Sequence, residues 1–414
     1  MRQEACSKNK MNKTERIMLY TLGAIQFVNI MDFMIMMPLG PSLISRFGIE
    51  PSDFGLLVSS YSISAFISGI ITTFIINKFE RKNYLMRIFI GFLFGTFACG
   101  LAPTYATLLI ARFVTGLFGG VLGAIILAIV SDAVPFERRG RAMGIIMAAF
   151  SIASVIGVPF GIFIATQTKQ ISYLGWHAPF LFLAILGIPV YFLVRKYVPH
   201  QSKATQLAAF EMNVMQNIKG IFNNRNNLLA LLFGVVMMMG HFAIIPFLSP
   251  YMVSNVGLRE EDLPLIYLVG GGLTLFTSPL IGKLSDKYGK LKMFTILAVL
   301  YVIPVYLITN MEPMAIYMVL TVSAIFFVFS GRFIPMQAMV TGAVEPRIRA
   351  SFMSFNSSIQ QLANGVAAFL AGFVVTNING KLVHYDILGY FSIGMALLSI
   401  FIASKLRSAD GKTF

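Results

Sequence analysis

Charged residues are scarce in this chain. Asp, Glu, Lys and Arg make up 12% of the 414 residues, whereas hydrophobic residues make up 57%. Soluble globular domains carry about twice that share of charge. The composition therefore excludes an ordinary soluble domain and predicts a protein embedded in a lipid bilayer.

Cysteine is rare as well, with two residues in the chain. Cys6 lies in the polar N-terminal segment and Cys99 lies inside an apolar run, so we expect the two at different depths. The sequence therefore predicts neither a disulfide nor a metal site, and no bound cofactor.

Two other patterns do not occur in the sequence. There is no Gly-x-x-x-x-Gly-Lys-Ser/Thr phosphate loop, and the polar segments are too short for a nucleotide-binding domain. Residues 1–16 lack the short apolar core and cleavage site of a signal peptide. We therefore expect a protein that is not an enzyme and keeps its N-terminus.

Apolar runs of helical length recur along the chain between short polar loops. Such runs are long enough to cross a bilayer as helices, whereas a membrane barrel shows alternating segments of about ten residues. The sequence predicts an all-α membrane protein with twelve transmembrane helices, at residues 17–39, 54–76, 85–101, 104–130, 142–166, 177–197, 228–253, 263–284, 291–309, 314–339, 352–376 and 385–404.

The predicted spans divide into two pseudo-symmetric six-helix halves, residues 17–197 and 228–404. A linker at 198–227 joins them, and polar tails lie at 1–16 and 405–414. The linker composition suits either an interfacial helix or an unstructured tether.

Basic residues are distributed unevenly between the loops. All but six of the 32 Lys and Arg lie in the tails, the linker or one set of alternate loops. The positive-inside rule places this set, and both termini, in the cytoplasm. The basic residues that produce the net charge of +15 therefore indicate the orientation of the protein in the membrane, and we expect no nucleic-acid binding. The six exceptions are Arg46, Lys169, Arg259 and Lys381 in the other loops, and Arg112 and Arg332 within spans.

An internal repeat relates the two halves at an offset of 209 residues, which places Asp32 on His241 and Pro41 on Pro250. The same offset superposes the loop after the second span on the loop after the eighth. Parallel repeats of this kind are typical of secondary transporters, so the repeat predicts a substrate site between the halves.

The loop after the eighth span has a regular spacing of glycine, acidic and basic residues. This spacing resembles the loop signature of the major facilitator superfamily, in which the loop helps to close the cytoplasmic side. The resemblance implies a gating role for Gly282, Asp286, Lys287, Gly289 and Lys290.

The first-half copy of this loop departs from the signature. Asn77 occupies the position of the aspartate and Glu80 that of the second glycine, whereas Lys78 and Arg81 retain basic character. The resemblance implies the same gating loop here, without the carboxylate at Asn77.

Two more stretches resemble this family. Residues 108–116 are similar to its fourth-helix motif, and Arg112 falls on the arginine that lies near the coupling carboxylate. The fifth span resembles the antiporter motif, with a valine inserted between glycine and proline. The matching residues are Gly157, Pro159 and Gly161.

The sequence segments that begin at Asp32 and Ser351 resemble those of the bacterial branch of twelve-helix drug or sugar:proton antiporters. The resemblance implies proton-coupled export of a small organic compound across a bacterial inner membrane. Its partners would be the substrate, protons and lipid, with no obligatory protein partner. Two alternatives share the fold, namely an uptake symporter for a sugar or metabolite and a non-transporting receptor or lipid-handling protein.

Asp32 is a carboxylate within an otherwise uncharged run, and membrane segments rarely retain such a group without a function. Burial favours its neutral form, whereas a nearby cation such as Arg112 favours its ionised form. The pair is therefore a candidate proton-binding site, with a fixed structural ion pair as the alternative. His241, at the copy position, is a second candidate, with a neutral hydrogen-bonding imidazole as its alternative.

Polar residues share one face of the first span and one face of the eleventh. Lipid disfavours both faces, so we predict that they line the substrate cavity, with hydrogen bonding between helices as the alternative. The polar residues are Gln26 and Asn29 in the first span and Asn356, Gln360 and Asn364 in the eleventh, and Met36 shares the helical stripe of Asn29 and Asp32.

Arg332 does not repeat Arg112, whose copy position is Thr321. We predict that Arg332 holds a charge of the substrate or closes the cytoplasmic end. Its stem is also long enough for the head group to reach the membrane surface.

Overall fold

The structure is a computed structural model that describes residues 12–75, 79–171, 174–200, 220–345 and 348–414. The central part of the linker, most of the N-terminal tail, and Asn77 with Lys78 lie outside this range. The predictions for these segments therefore remain predictions.

Long helices form both halves of the described chain. The first half contains Lys13–Ile35, Gly40–Phe47, Pro51–Ile75, Arg81–Leu101, Tyr105–Ala133, Phe136–Ile152, Val158–Gln167 and Ala178–Tyr197. The second half contains Arg225–Phe242, Ile245–Ser254, Leu263–Tyr288, Lys290–Thr309, Ile316–Ser330, Phe333–Gly342, Arg349–Val374 and Tyr385–Lys405. An antiparallel hairpin, Thr376–Ile378 with Lys381–Val383, joins the last two helices.

Eleven spans in the described part of the chain are long and apolar enough to cross a membrane. The remaining span, Arg349–Val374, is the eleventh in chain order. It is 26 residues long and carries the polar face predicted for the eleventh span. At 1.5 Å per residue this length also crosses a bilayer. The predicted twelve-helix architecture is therefore confirmed.

Three of the twelve spans are interrupted or end at short non-helical breaks. The first span breaks between Ile35 and Gly40, the seventh at 243–244, and the tenth at 331–332. Each new helix carries a proline in its first turn, where the absent N–H would have no partner in any case. These prolines are Pro41, Pro246 and Pro335.

The fifth span contains a π-helical turn, Ala153–Gly157. Pro159 follows this turn and has no N–H to offer the carbonyl group four residues before it. The backbone widens here, and the N–H of Val158 donates to the carbonyl oxygen of Ala153, five residues back. The antiporter-like motif thus begins at a π-turn, a feature frequent at functional sites.

Buried apolar residues show how the two halves meet. One cluster combines both halves, including Leu43 and Phe54 from the first and Phe247 from the second. The other two clusters each take their buried residues from one half, around Leu22 and Phe294, and extend toward the basic loops. Among the described residues, the halves share a core at one end, here named the closed end. At the other end, named the basic end, each half has a buried cluster of its own.

The second and eleventh spans make close backbone contact between the halves. A Cβ atom added to Gly55 would lie 2.8 Å from the carbonyl oxygen of Ala368 and 2.9 Å from Cα of Gly372. Small residues are what allow membrane helices to approach this closely. The contact extends toward the basic end as far as Gly69 and Ser358.

The substitution Gly55→Ala is expected to destabilise the protein. The added methyl group would meet backbone atoms, which cannot move aside by a rotamer change, and overpacking of this kind costs about 1–3 kcal/mol. The measurement is thermal or denaturant unfolding of the purified protein in detergent. Gly272→Ala is the control, because nothing lies within 4 Å of a Cβ at that position. Equal stability of the two variants would contradict the close contact.

Candidate coupling and substrate site

Asp32 and Arg112 form a buried ion pair inside the first half. Nη1 of Arg112 lies 2.8 Å from Oδ2 of Asp32 and donates to its carbonyl oxygen at 3.3 Å. The hydroxyl group of Thr96 donates to Oδ1 of Asp32 at 3.0 Å. Neither charged side chain is more than 1% exposed. The first, third and fourth spans thus meet at a single carboxylate.

The ring of Tyr61 covers one face of this pair. The Cζ atom of Arg112 lies 4.6 Å from the ring centroid, within the range of a cation–π contact. The Tyr61 hydroxyl donates to Oδ1 of Asn29 at 3.0 Å, and Nδ2 of Asn29 donates to the carbonyl oxygen of Gly119 at 3.2 Å. The second span therefore also helps to fix the pair.

Sequence reasoning missed Thr96 and Tyr61. Each is a single hydroxyl-bearing residue within an apolar span, and many such residues satisfy their own helix backbone. Nothing in the local sequence distinguishes these two, although Thr96 lies on the span next to Arg112. The signal appears only once the helices are packed.

This arrangement can bind one proton. The carboxylate accepts two hydrogen bonds, from Thr96 and Arg112, that favour its charged form, while complete burial favours its neutral form. Protonation would remove the negative charge and leave Arg112 as a buried cation whose Nε has no hydrogen-bond partner among the described atoms. The proton state of Asp32 thus determines whether the three spans are held by an ion pair.

His241 occupies an aromatic environment in the second half. Its ring stacks on Phe326 with centroids 5.9 Å apart and meets Phe333 edge-on at 5.1 Å. Nδ1 of His241 has no hydrogen-bond partner in the described part of the chain. The two copy positions therefore differ, because Asp32 is held by polar contacts and His241 by aromatic rings.

Arg332 lies at the break in the tenth span and is 1% exposed. Its Cζ atom is 3.3 Å from the centroid of the Tyr301 ring. The side chain is buried in the second half and does not reach the surface, because the ring holds the guanidinium inside. Thr321, the copy of Arg112, instead lines an apolar groove of about 440 Å³ between the eighth and tenth spans.

The predicted cavity residues have different surroundings. Gln26, Asn29 and Gln360 are partly exposed, but Oε1 of Gln26 and Nε2 of Gln360 are buried without a partner among the described residues. Asn29 bonds the second and fourth spans, as in the alternative of hydrogen bonding between helices. The side-chain oxygens of Asn356 and Asn364 are buried and have no partner among the described residues. A Cβ added to Gly234 would lie 3.1 Å from the first of these oxygens and 2.9 Å from Nε2 of Gln360, so both side chains face the seventh span.

Met36 differs from its prediction. It is 1% exposed and packs in the core shared by the two halves. The first helix ends at Ile35, so the helical stripe that would align Met36 with Asn29 and Asp32 is interrupted before it. Met36 therefore lies at the closed end and does not line a cavity in this conformation.

The gating loops are described only in part. Arg81 forms an ion pair with Asp132 and donates to the carbonyl oxygen of Ala128 at 2.7 Å, so these contacts stay within the first half. Gly289 has φ of 96° and ends the eighth span, a conformation that favours glycine. Gly282, Asp286, Lys287 and Lys290 flank this helix end.

The antiporter-like motif packs on the span that carries Asp32. A Cβ added to Gly161 would lie 2.7 Å from Cδ1 of Ile35, and one added to Gly157 would lie 3.1 Å from Sδ of Met31. The fifth span thus approaches the first closely on both sides of Pro159.

Sequence comparison gives the family. A family model described as Major Facilitator Superfamily matches residues 22–331 and 230–413. The chain belongs to the major facilitator superfamily. Members of this family are membrane transporters and not enzymes. This confirms the predicted family and the prediction that the protein is not an enzyme. No group of three His, Cys, Asp or Glu residues suited to a metal ion occurs in the part of the chain that the structure describes.

Known proteins resemble the chain over much of its length. The uncharacterised MFS-type transporter YceJ of Bacillus subtilis (strain 168) is 24% identical over 355 residues, covering 85% of this chain and 87% of that protein. A chloramphenicol resistance protein of Streptomyces lividans is 25% identical over 248 residues, covering 60% and 61%. A solved D-xylose-proton symporter has a TM-score of 0.75 at 17% identity, covering 96% and 99%, which shows the fold alone.

Removal of the acid alone should be more harmful than removal of both charges. Asp32→Asn leaves Arg112 as an uncompensated buried cation, and breaking a buried pair in this way costs about 3–5 kcal/mol. The double variant Asp32→Asn with Arg112→Gln should recover part of this loss. The measurement is thermal unfolding of all three variants, arranged as a double-mutant cycle.

Asp410→Asn, at an exposed position in the C-terminal tail, is the control for loss of one acid. Strictly additive effects of the two single substitutions would show that the pair contributes no coupling energy.

Proposed function

We propose that the protein is a proton-coupled secondary transporter that exports a small organic compound by alternating access. The observation that carries the proposal is the buried pair of Asp32 and Arg112 in a chain of this transporter family. An intramembrane ionisable pair is costly, and in transporters such groups commonly carry protons. The proposed site places the proton on Asp32 and the substrate between the halves.

Protonation of Asp32 would change the packing of the first half. With the carboxylate ionised, its contacts with Arg112 and Thr96 hold three spans together. With the carboxylate neutral, Arg112 needs another partner or water, so a different arrangement becomes more favourable. A proton can shift a conformational equilibrium only through such a difference in interaction between two states.

The distribution of the cores supports a rocking motion of the halves. At the closed end, Glu260 of the second half accepts hydrogen bonds from Ser42 at 2.8 Å and Lys169 at 2.9 Å of the first half. These contacts and the shared core would have to separate in the opposite state. If the basic end faces the cytoplasm, as the positive-inside rule predicts, this conformation loads its substrate from the cytoplasm.

Export agrees with the name of the chloramphenicol resistance protein of Streptomyces lividans, to which this chain is similar. Uptake by proton symport on the same residues is the second candidate, and the direction of flux separates the two. A receptor or lipid-handling role requires no proton coupling at all.

Everted membrane vesicles with an acidic interior test the proposal. We expect compounds, with chloramphenicol as the first probe, to accumulate inside and to dissipate the proton gradient. Asp32→Asn should reduce gradient-driven accumulation to the level of vesicles without the protein while retaining exchange of substrate across the membrane. Asp410→Asn should behave as the natural chain.

Three outcomes contradict this function. Antiport is excluded if no compound in a broad toxic-compound panel accumulates or dissipates the gradient. Accumulation in right-side-out vesicles driven by an inward proton gradient indicates symport. Full gradient-driven transport by Asp32→Asn shows that the proton binds elsewhere.

His241 is proposed as a second proton-binding group. Its Nδ1 has no partner among the described residues, while burial and the nearby Arg332 favour the neutral imidazole in this conformation. Protonation of His241 is therefore proposed for a state in which water reaches the ring. His241→Gln is then expected to lower the number of protons exchanged per substrate without abolishing transport. Parallel measurement of proton and substrate flux checks this, and an unchanged ratio would assign His241 a neutral packing role.

A further inference from the structure

The second half contains a buried cation without a buried acid. Arg332 is 1% exposed, and no ion pair to it is found among the described residues. Between residues 225 and 405, every acidic residue lies in a loop or near the end of a helix. The first half, in contrast, matches Arg112 with Asp32. A buried charge without a counter-charge is costly, so its retention indicates a ligand of opposite charge.

The contact with Tyr301 satisfies only one face of the guanidinium. The ring lies 3.3 Å from Cζ and provides a cation–π interaction, which acts on the face of the planar group. Hydrogen-bond donors point outward in the plane, and Nε and Nη1 of Arg332 have no acceptor among the described atoms. Nη1 lies on the Cδ side of the guanidinium and the Nε–H bond points to the opposite side, so these are two separate in-plane donors, each able to donate to an anionic oxygen.

Two more positive features surround these donors. Arg332 is the N-cap residue of the ten-residue helix Phe333–Gly342, and the N-terminus of a helix carries a partial positive charge. The buried hydroxyl group of Tyr301 also has no partner in the described part of the chain. In transporters with discontinuous spans, half-helix N-termini commonly face anionic groups of the substrate.

Partly exposed residues lie next to Arg332. Arg332 is buried, whereas His241 and Phe333, which contact each other in the same cluster, are partly exposed. The rings of Phe326 and Tyr301 extend this wall, with centroids 5.5 Å apart. The guanidinium thus lies beneath a layer of aromatic side chains, which provides an apolar surface for the body of an organic compound.

We propose that Arg332 binds the anionic group of the transported compound, a carboxylate or a comparable organic oxyanion, with help from Tyr301 and the start of helix Phe333–Gly342. This inference rests on the proposed transport of a small organic compound. The bound anion neutralises Arg332, which is 1% exposed and has no acid partner among the described residues. A cationic compound has no such partner, because the only acid buried there, Asp32, is already paired with Arg112.

Ligand-induced thermal stabilisation of the purified full-length protein tests this without a proton gradient. The probes are benzoate, phenylacetate and octanoate, each compared with its neutral amide, and benzylamine as a cation. We expect the carboxylates to raise the unfolding temperature and the amides and the amine to have little effect. Chloride is tested separately in a chloride-free buffer to distinguish an inorganic anion.

Arg332→Gln should weaken carboxylate binding about tenfold or more, because hydrogen bonds to charged groups are among the strongest. The same variant should be at least as stable as the natural chain without ligand, because the unpaired cation is removed. Arg332→Lys, which keeps the charge without the planar fork, should bind with intermediate affinity. Arg46→Gln is the matched control, since it removes an exposed arginine.

Several results would overturn the inference. The amides could stabilise the protein as much as the carboxylates do, or no probe could stabilise it. Chloride could raise the unfolding temperature while no carboxylate does so. Carboxylate binding could also persist in Arg332→Gln. Loss of stability in ligand-free Arg332→Gln would instead assign Arg332 a structural role. Failure of this inference can be distinguished from failure of the proposed function. A protein that binds carboxylates through Arg332 but does not transport them contradicts only the proposed function.

Discussion

The cost of placing charge in a low-dielectric interior is the constraint on which this structure depends. A buried guanidinium needs an acid, an aromatic face or a ligand, and the two buried arginines have different solutions. Arg112 is matched by Asp32 and covered by Tyr61, whereas Arg332 stacks on Tyr301 and has no acid among the described residues. The proposed anion site therefore lies in the second half, whereas the acid of the proposed coupling pair lies in the first.

The repeat explains why these sites resemble each other without being copies. In each half, the first and fourth spans meet around an arginine, and an aromatic ring packs on it. The arginines come from different repeat positions, since Thr321 is the copy of Arg112 and faces an apolar groove. Duplication conserved the helix packing, and the ionisable chemistry diverged between Asp32 and His241.

Helix breaks give the two halves the means to move. The first, seventh and tenth spans are interrupted, and the fifth has a π-turn before Pro159. Backbone hydrogen bonds are incomplete at such points, so bending there disrupts fewer of them than bending within a regular helix. The breaks lie next to Met36, close to His241 and at Arg332. The residues assigned to coupling and substrate binding thus lie beside the positions where the spans can change direction.

The sequence alone determined the twelve membrane spans, the two halves and the presence of an acid, Asp32, within the first span, because hydropathy, charge and repeat spacing are local properties of the chain. Tertiary structure decided which residues surround that acid. Thr96 and Tyr61 lie 64 and 29 residues from it, and Met36 leaves its expected stripe because the helix ends at Ile35. Periodicity cannot reveal these contacts, since they depend on how separate helices rotate and pack. The same reason explains why the missing acid at Arg332 became visible only in the folded chain.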